Sequence, residues 1–321
     1  MREIVERAGK LLAEGTVNRV LGWRRGELPA QREPAFFESQ EALEDLVYDG
    51  FCGANLSKFM IEAGKREGKT LVFLKPCDTY SYNQLLKEHR VEREKAYIIG
   101  VGCRGKVDAD ALGRLGMKGI LSLREEGDQV KADTLYGERA CGFEEALYER
   151  CLVCARSTHA VYDELIGQEE RPEGKPSGRF EKVEELEAMS PAERFAFWQG
   201  ELSRCIRCNA CRNVCPACSC RHCVFDSDRY DTAQKANSDP FEEQMFHIIR
   251  AFHVAGRCTD CGECSRVCPQ KIPLHLLNRK LIKDINTFYG EYQAGADGQA
   301  RGPLTSFEMD DIEPGQAGER G

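Results

Sequence analysis

The chain repeats one cysteine spacing, as CIRCNACRNVCP at residues 205–216 and again as CTDCGECSRVCP at residues 258–269. Each run has three cysteines at three-residue intervals, and then a fourth cysteine followed by proline. Three thiolates at this spacing can hold three irons of a small cube, whereas the fourth iron has to be reached from elsewhere in the chain. The spacing therefore predicts two [4Fe–4S] clusters, and each proline turns the chain away from its cluster.

The predicted ligand sets cross between the two runs, as they do in bacterial ferredoxins. The first set is Cys205, Cys208, Cys211 and Cys268, and the second set is Cys258, Cys261, Cys264 and Cys215. Zinc also binds paired cysteines, but four ligands satisfy it, so the third spaced cysteine before Cys-Pro favours iron. Disulfides are disfavoured, because seventeen cysteines is an odd number and the N-terminus does not resemble a secretory signal.

Composition narrows the class of protein further. A length of 321 residues allows two or three compact units. The net charge of −8, without a basic stripe and interleaved aromatics, argues against a nucleic-acid partner. No stretch approaches the roughly 18 apolar residues that cross a bilayer, so we expect no direct membrane span. Thiolates kept free for iron indicate a reducing cytoplasm, as in an anaerobe or a facultative anaerobe.

The chain divides into four segments by pattern. Residues 1–166 alternate strand-like and helical stretches, such as a strand at Thr70–Lys75, a helix at Tyr80–Glu88 and a strand at Lys95–Val101, which predicts an α/β domain with parallel strands. Residues 167–189 are rich in charge, proline and glycine and predict an exposed linker. Residues 190–292 predict a mainly α-helical dicluster ferredoxin domain, and the glycine-rich residues 293–321 predict a flexible tail.

Two helices are predicted beside the cysteine runs. Ser190 followed by Pro191 and by Glu193 three residues past the cap is typical of a helix start, so we expect a helix from Pro191 towards Arg204. A second amphipathic helix is predicted between the runs, with its apolar residues packed in the core. Those residues are Phe241, Met245, Ile248, Ile249 and Phe252. His247 and His253 lie on or near this helix and are interpreted as surface or core histidines, not as metal ligands.

The second run, continuing to Ile272-Pro273, resembles the α-helical ferredoxin module of heterodisulfide reductase small subunits and fumarate reductase iron–sulfur subunits. The N-terminal half carries Pro76-Cys77-Asp78, a strand ending in residues 100–105 (GVGCRG), Cys151-x2-Cys154 and residues 162–167 (YDELIG). These motifs resemble the beta subunit family of F420-reducing hydrogenase and F420-dependent formate dehydrogenase. The resemblance implies a third [4Fe–4S] cluster and also implies FAD, which that family binds.

The third set implied by this resemblance is Cys77, Cys103, Cys151 and Cys154, with Cys141 as an alternative to Cys77. Two of the four follow predicted strands, where α/β folds place their sites, and the other two form a C-x2-C pair. Scattered buried thiols are the competing interpretation.

The extra cysteines are Cys52, Cys141, Cys218, Cys220 and Cys223. Our hypothesis is that Cys218, Cys220 and Cys223 join Cys52 or Cys141 in a fourth cluster that bridges the two halves of the chain. The alternatives are a zinc site that includes His222, or reduced structural thiols.

These features predict an iron–sulfur electron-transfer subunit of a cytoplasmic anaerobic oxidoreductase complex. The resemblances imply partners of the formate dehydrogenase, hydrogenase or heterodisulfide reductase type, and a ferredoxin as a further partner. The alternative is a flavin-containing subunit that itself exchanges electrons between FAD and a deazaflavin, nicotinamide or ferredoxin acceptor. Flavin content separates the two interpretations.

Overall fold

The computed structural model describes residues 2–154, 158–167, 178–226, 240–298 and 302–305. We call residues 2–154 and 158–167 the sheet region, and residues 178–226 and 240–298 the helical region. The sheet region contains all the strands of the described ranges, together with several helices, and the helical region contains helices around the two cysteine runs. The predicted fold class, α/β followed by mainly α-helical, is therefore confirmed.

The strands of the described ranges form two sheets. They are β1 (Arg19–Arg25), β2 (Arg32–Phe37), β3 (Leu46–Val47), β4 (Thr70–Leu74), β5 (Ala96–Val101), β6 (Ile120–Glu126), β7 (Gln129–Thr134), β8 (Gly137–Gly142) and β9 (Glu164–Ile166). The larger sheet has the order β2-β1-β4-β5-β9, with β3 also paired to β1, and β1, β4, β5 and β9 run parallel. Strands β6, β7 and β8 form a separate antiparallel sheet.

The α-helices of the described ranges flank these sheets and build the helical region. They are α1 (Arg2–Ala13), α2 (Met60–Ala63), α3 (Pro76–Lys87), α4 (Ala109–Arg114), α5 (Glu149–Leu152), α6 (Glu181–Ala188), α7 (Pro191–Leu202), α8 (Ala210–Val214), α9 (Pro240–His253), α10 (Glu263–Arg266) and α11 (Leu274–Tyr289). Among the described residues, no helix combines the length and the apolar character needed to cross a bilayer.

Strand β4, helix α3 and strand β5 form the central β-α-β unit. Every residue of β4 is buried, as expected for a strand covered on both faces of a parallel sheet. The predictions for both strands are confirmed to within one residue. Helix α3 begins at Pro76, four residues earlier than predicted, because a proline is well suited to the first position of a helix. This earlier start places Cys77 in the first turn of the helix, at the carboxyl end of β4.

The predicted linker at residues 167–189 is corrected in its second part. Helix α6 occupies Glu181–Ala188, and its Val183 and Leu186 side chains are buried. Glu187 also accepts a salt bridge from Lys280 of α11 at 2.8 Å. Two apolar residues three positions apart lie on one face of a helix and can pack that face against α11. The sequence did not predict this helix because charged residues surround the two apolar ones. The middle of the predicted linker, residues 168–177, lies outside the described residues.

The predicted flexible tail is also corrected at its start. Residues 293–298 pack on α3, where Ala294 is buried and the Asn83 Nδ2 donates to the Gly295 carbonyl oxygen at 3.1 Å. Gly295 has a φ of +76°, and a Cβ atom there would lie 1.9 Å from the Tyr80 carbonyl oxygen. Only glycine fits this close approach of two backbones. The later tail residues 299–301 and 306–321 lie outside the described part of the chain.

Helix α7 starts as the sequence predicts and ends at Leu202. The Glu193 backbone N–H donates to the Ser190 Oγ at 3.3 Å, and the Ser190 N–H donates to the Glu193 Oε2 at 2.9 Å. This reciprocal pair is a capping box, which satisfies two N–H groups that the helix start leaves free. The Leu202 side chain at the other end is buried beside the first cysteine run.

We expect Ser190→Ala to lower the free energy of unfolding by about 1 kcal/mol, because the helix loses an N-cap acceptor. Chemical denaturation of the anaerobically purified full chain measures the change. Ser203→Ala is the matched control, since Ser203 is exposed and its Oγ donates to the Gly200 carbonyl oxygen within the same helix. The control should stay within about 0.5 kcal/mol of the parent. Equal losses in both variants would contradict the capping role.

The buried face of α9 differs from the predicted one, and of the five predicted core residues Ile249 alone is half-buried. Phe241 and Phe252 are 66% and 64% exposed, and Met245 and Ile248 are also exposed. The buried face carries Glu243, Gln244, Phe246, His247, Arg250 and Ala251. The polar residues 243, 247 and 250 have helical spacing and lie on one face of α9, just as the apolar residues lie on another face. The spacing alone therefore did not decide which face is buried. The polar residues pack inwards because the cysteine runs lie on that side.

Buried charges join the sheet region to the helical region. Glu263 is fully buried and accepts from Lys106 of the sheet region at 2.9 Å, from Arg266 at 2.7 Å and from the Asn55 backbone N–H at 3.2 Å. Burial alone would raise the pKa of the Glu263 carboxyl, but the Arg266 and Lys106 cations hold that pKa well below its usual range. A second link is the Lys58 ammonium, which donates to the Cys215 carbonyl at 2.8 Å. The two regions therefore meet in a fixed register.

Candidate metal centres

The two cysteine runs form loops of the same shape. In the first run Arg207 and Asn209 have φ values of 50° and 60°, and in the second run Asp260 and Gly262 have values of 56° and 74°. These residues occupy equivalent places, two and four positions after the first cysteine of each run. In both loops the N–H two residues after that cysteine donates to its sulfur, at 3.4 Å. Left-handed residues thus curl each loop so that amide protons face a thiolate.

The structure brings the last cysteine of each run to the other run. Burial raises the pKa of the Cys211 thiol, and negative charge on the neighbouring Cys268 raises it further. Burial likewise raises the pKa of Cys264 well above its usual value, with Cys215 among the charges that add to it. Burial and the nearby Cys215 also raise the pKa of Cys258, to about 12. This is the juxtaposition that the crossed ligand sets require, although ligation itself stays a prediction.

Apolar side chains close the space around these thiols. One cluster contains Leu202, Cys211, Phe246, Cys264, Cys268, Ile272 and Leu274. A neighbouring cluster contains Cys215, Ala217 and Val254, with Cys218 and Cys258 packed against it. Cys208 is the exposed member of the first set, so this site has one edge near solvent. The apolar neighbours limit the access of water elsewhere, and solvent exposure is one of the factors that set the potential of an iron–sulfur cluster.

The surroundings of Arg250 indicate whether these thiols suit an anionic cluster. Its guanidinium is buried on the inner face of α9, and one Nη donates to the Cys211 carbonyl at 3.1 Å. Burial lowers the pKa of Arg250, but the Cys215, Cys264, Cys218 and Cys211 thiolates raise it overall. Its Nε has no hydrogen-bond partner among the described residues. A buried cation with a spare N–H among soft thiolates fits a negatively charged iron–sulfur group.

The third set lies at the carboxyl edge of the parallel sheet. Cys77 follows β4, Cys103 follows β5, and Cys151 lies in α5. Burial raises the pKa of the Cys103 thiol, and negative charge on Cys151 raises it further. Cys103 is in turn one of the charges around Cys77. Three of the four cysteines are therefore electrostatic neighbours.

The surroundings of Arg150 indicate whether the third set also suits an anionic cluster. Arg150 is buried, its Nη1 lies 3.9 Å from the Cys154 sulfur, and its Nη2 has no hydrogen-bond partner among the described residues. Burial lowers its pKa, and the surrounding Cys154, Cys77 and Cys151 thiolates raise it well above the usual value. The donor set therefore fits an anionic cluster at this third position as well. Its occupancy remains a prediction.

Arg150 also reaches the second cysteine run. Its Nε donates to the Asp260 carbonyl oxygen at 2.5 Å, between Cys258 and Cys261. A cavity of about 180 Å³ beside it is lined by residues that include Cys151 and Cys261. One arginine side chain thus spans the distance from the third set to the second set.

The extra cysteines fall in separate places. Cys52 belongs to the core of the larger sheet, and its sulfur accepts from the Asp49 N–H at 3.4 Å. Cys141 lies on β8 and packs in the same apolar cluster as Cys151. Cys218 packs beside Cys215 instead. Cys52, Cys141 and Cys218 thus belong to three different apolar clusters, and the bridging cluster stays a hypothesis.

The segment with the last three extra cysteines is surrounded by cations. The Lys58 ammonium donates to the Cys218 carbonyl oxygen at 2.5 Å. Arg257 has Cys220 and Cys218 among its charged neighbours, and Arg212 has Cys223. A hydrogen bond from the Cys218 thiol lowers the pKa of the Cys215 thiol, and Arg250 lowers it further. Cys218 is therefore an immediate neighbour of a predicted ligand of the second set.

His247 is buried, in agreement with its interpretation as a core histidine, but the sequence did not predict that it faces a predicted ligand. Its ring is buried on the inner face of α9, and the Nε2 lies 3.2 Å from the Cys205 sulfur. Burial lowers the pKa of the imidazole to about 3, and the Arg250 and Arg207 cations add to this lowering. The spacing of residues 243, 247 and 250 on one helix face was the signal that could have revealed this contact.

The chain is similar to several known proteins. A family model described as "4Fe-4S dicluster domain" matches residues 201–272. The chain is 25% identical to the F420-dependent formate dehydrogenase subunit beta of Methanocaldococcus jannaschii, over 93% of this chain and 92% of that protein. It is 26% identical to the F420-dependent formate dehydrogenase 1 subunit beta of Methanococcus maripaludis, over 90% and 89% respectively. A putative ferredoxin-3 of Sinorhizobium fredii is 30% identical over 24% of this chain and 75% of that protein.

Proposed function

Because this chain carries a 4Fe–4S dicluster domain and is similar along most of its length to formate dehydrogenase beta subunits, we propose that it relays single electrons between partner subunits. It would do so as an iron–sulfur subunit of a cytoplasmic oxidoreductase complex in an anaerobe or facultative anaerobe. The candidate partners are catalytic subunits of the formate dehydrogenase, hydrogenase or heterodisulfide reductase type, and a ferredoxin. Iron–sulfur clusters supply the one-electron redox chemistry that such a relay needs.

The observation that carries the proposal is the position of Arg150. Its guanidinium has the thiolates of Cys77, Cys151 and Cys154 as charged neighbours and donates to the Asp260 carbonyl inside the second run. A relay needs each redox site to lie close in space to the next one. The Arg150 contact joins the cysteines of the third set to the loop of the second set. The second set in turn adjoins the first set, because Cys211 has Cys215 among its charged neighbours.

The residues of the chain have three tasks in this proposal. The cysteines of each set would hold the clusters, since soft thiolates are the ligands that iron–sulfur clusters select. Arg150 and Arg250 would balance the negative charge of the clusters inside the protein. The ion pair between Lys106 and Glu263 would keep the spacing between the third and second sets fixed.

Anaerobic purification of the full chain with its bound partners tests the proposal. We expect a brown protein with iron and acid-labile sulfide in equal amounts, an EPR signal on reduction, and co-purifying oxidoreductase subunits. A colourless protein without sulfide or a reduced EPR signal would overturn it. Flavin measured in the same sample decides the alternative, because FAD in stoichiometric amount would make the chain itself a site of electron exchange with a soluble acceptor.

A further inference from the structure

Two side chains point hydrogen-bond donors at predicted ligand sulfurs, one in each ferredoxin set. His247 Nε2 lies 3.2 Å from the sulfur of Cys205, in the first set. Asn278 Nδ2 on α11 lies 3.7 Å from the sulfur of Cys264, in the second set. Both side chains are at least 95% buried, so water does not compete for these contacts.

The protonated nitrogen of His247 can be assigned from its surroundings. A thiolate can only accept, so the ring nitrogen that faces Cys205 must carry a hydrogen for the two atoms to bond. The Nδ1 atom has no hydrogen-bond partner among the described residues, so no acceptor there draws the proton away from Nε2. The ring is also fixed in orientation, because Phe246 meets it edge to face at 5.0 Å between ring centroids. The contact with Cys205 is therefore an N–H···S hydrogen bond.

A competing interpretation is a single metal ion held by Cys205, Glu243 and His247, whose ligand atoms lie within 4.8 Å of one another. The salt bridge of Glu243 with Arg207 argues against a metal ion at this place. Its two carboxylate oxygens lie 3.0 and 2.8 Å from the Arg207 Nε, in a salt bridge that is buried. A metal ion there would have to displace or oppose this guanidinium. The geometry favours a hydrogen bond to the sulfur instead.

We propose that His247, through its hydrogen bond to the Cys205 sulfur, raises the reduction potential of the cluster in the first set. The inference rests on the proposed function, because it requires that cluster to be present. Reduction adds negative charge that is shared with the ligand sulfurs, and a donor stabilises the more negative state. Asn278 does the same for the second set, at a longer distance.

The test is an EPR-monitored potentiometric titration of the anaerobic full-length protein and three variants. In His247→Phe we expect one cluster to become about tenfold harder to reduce, which corresponds to a fall of about 59 mV in its midpoint potential. Asn278→Leu is the matched control and should leave that cluster unchanged while lowering the potential of the other. His247→Asn keeps an amide donor and should give a smaller fall than His247→Phe.

Iron and sulfide contents separate the possible failures. An unchanged midpoint potential in His247→Phe, with full cluster content, would overturn the inference. Loss of one cluster in both His247 variants would also overturn it, because it would make the imidazole a ligand. If His247→Phe does not fold, the fall measured in His247→Asn decides, and no fall counts against the inference. A wild-type protein without clusters would instead refute the proposed function.

Discussion

Replacing Cys268 by alanine is expected to abolish the same cluster that is abolished by replacing Cys208, although these cysteines lie in different runs. The reason is the crossed arrangement, in which Cys268 is a charged neighbour of Cys211. Cys215→Ala should likewise abolish the same cluster as Cys258→Ala. EPR spectra of the reduced single variants, with iron and acid-labile sulfide contents, measure which cluster each protein has lost.

The pattern of matches decides between crossed and uncrossed ligation. Uncrossed ligation would make the spectrum of Cys268→Ala match that of Cys258→Ala instead. Cys220→Ala serves as a control, because Cys220 is exposed and lies outside both sets. It should retain both ferredoxin clusters. Loss of a ferredoxin cluster in this control would contradict the ligand sets themselves.

Replacing Glu263 by glutamine is expected to lower the free energy of unfolding by roughly 3–5 kcal/mol, because it leaves buried cations without a counter-charge. Glu263 is the common partner of Lys106 and Arg266, and both are largely withdrawn from water. Glutamine keeps the shape of the side chain, so the effect isolates the charge. Chemical denaturation under anaerobic conditions measures the loss.

Glu62→Gln is the matched control for this substitution. Glu62 forms a salt bridge with Lys65, but both side chains are about two-thirds exposed. An exposed pair contributes little, so the control should change stability by less than about 1 kcal/mol. Glu263 lies between two predicted ligands, so iron content is measured on the same samples. A loss below 1 kcal/mol in Glu263→Gln, with full iron, would contradict the buried-charge argument.

Elements defined by local chemistry could be predicted from the sequence. The apolar run at residues 71–74 of β4 and the capping box at Ser190 each depend on neighbours within a few residues, and both are confirmed. The cysteine spacing likewise predicts the dicluster domain, because most ligands of each cluster lie within a few residues of one another in the sequence. These features need no knowledge of what packs against them.

The failures come from long-range packing. Helix α9 has an apolar and a polar face, and only the position of the cysteine runs decides that His247 and Arg250 turn inwards. Helix α6 depends on α11, almost 100 residues later, and residues 293–298 depend on α3. The partners of Glu263 are separated from it by up to 208 residues. No local pattern carries such information.

The third set could be predicted only in part. The positions of Cys77 and Cys103 after neighbouring parallel strands follow from the strand pattern, because the carboxyl ends of such strands meet at one edge. The role of Arg150 could not be predicted in this way. Its side chain joins a short helix of the sheet region to a carbonyl of the second run, which the order of residues along the chain does not reveal.

The docking of residues 293–298 has a consequence for building chimeras from this protein. These residues bring the chain back from the helical region to α3, where Asn83 holds the Gly295 carbonyl and no larger residue fits. Lys58 of the sheet region also donates to the Cys215 carbonyl oxygen of the helical region. A foreign ferredoxin grafted after residue 177 would have to reproduce both attachments, so the cluster-bearing halves of such subunits are not freely interchangeable parts.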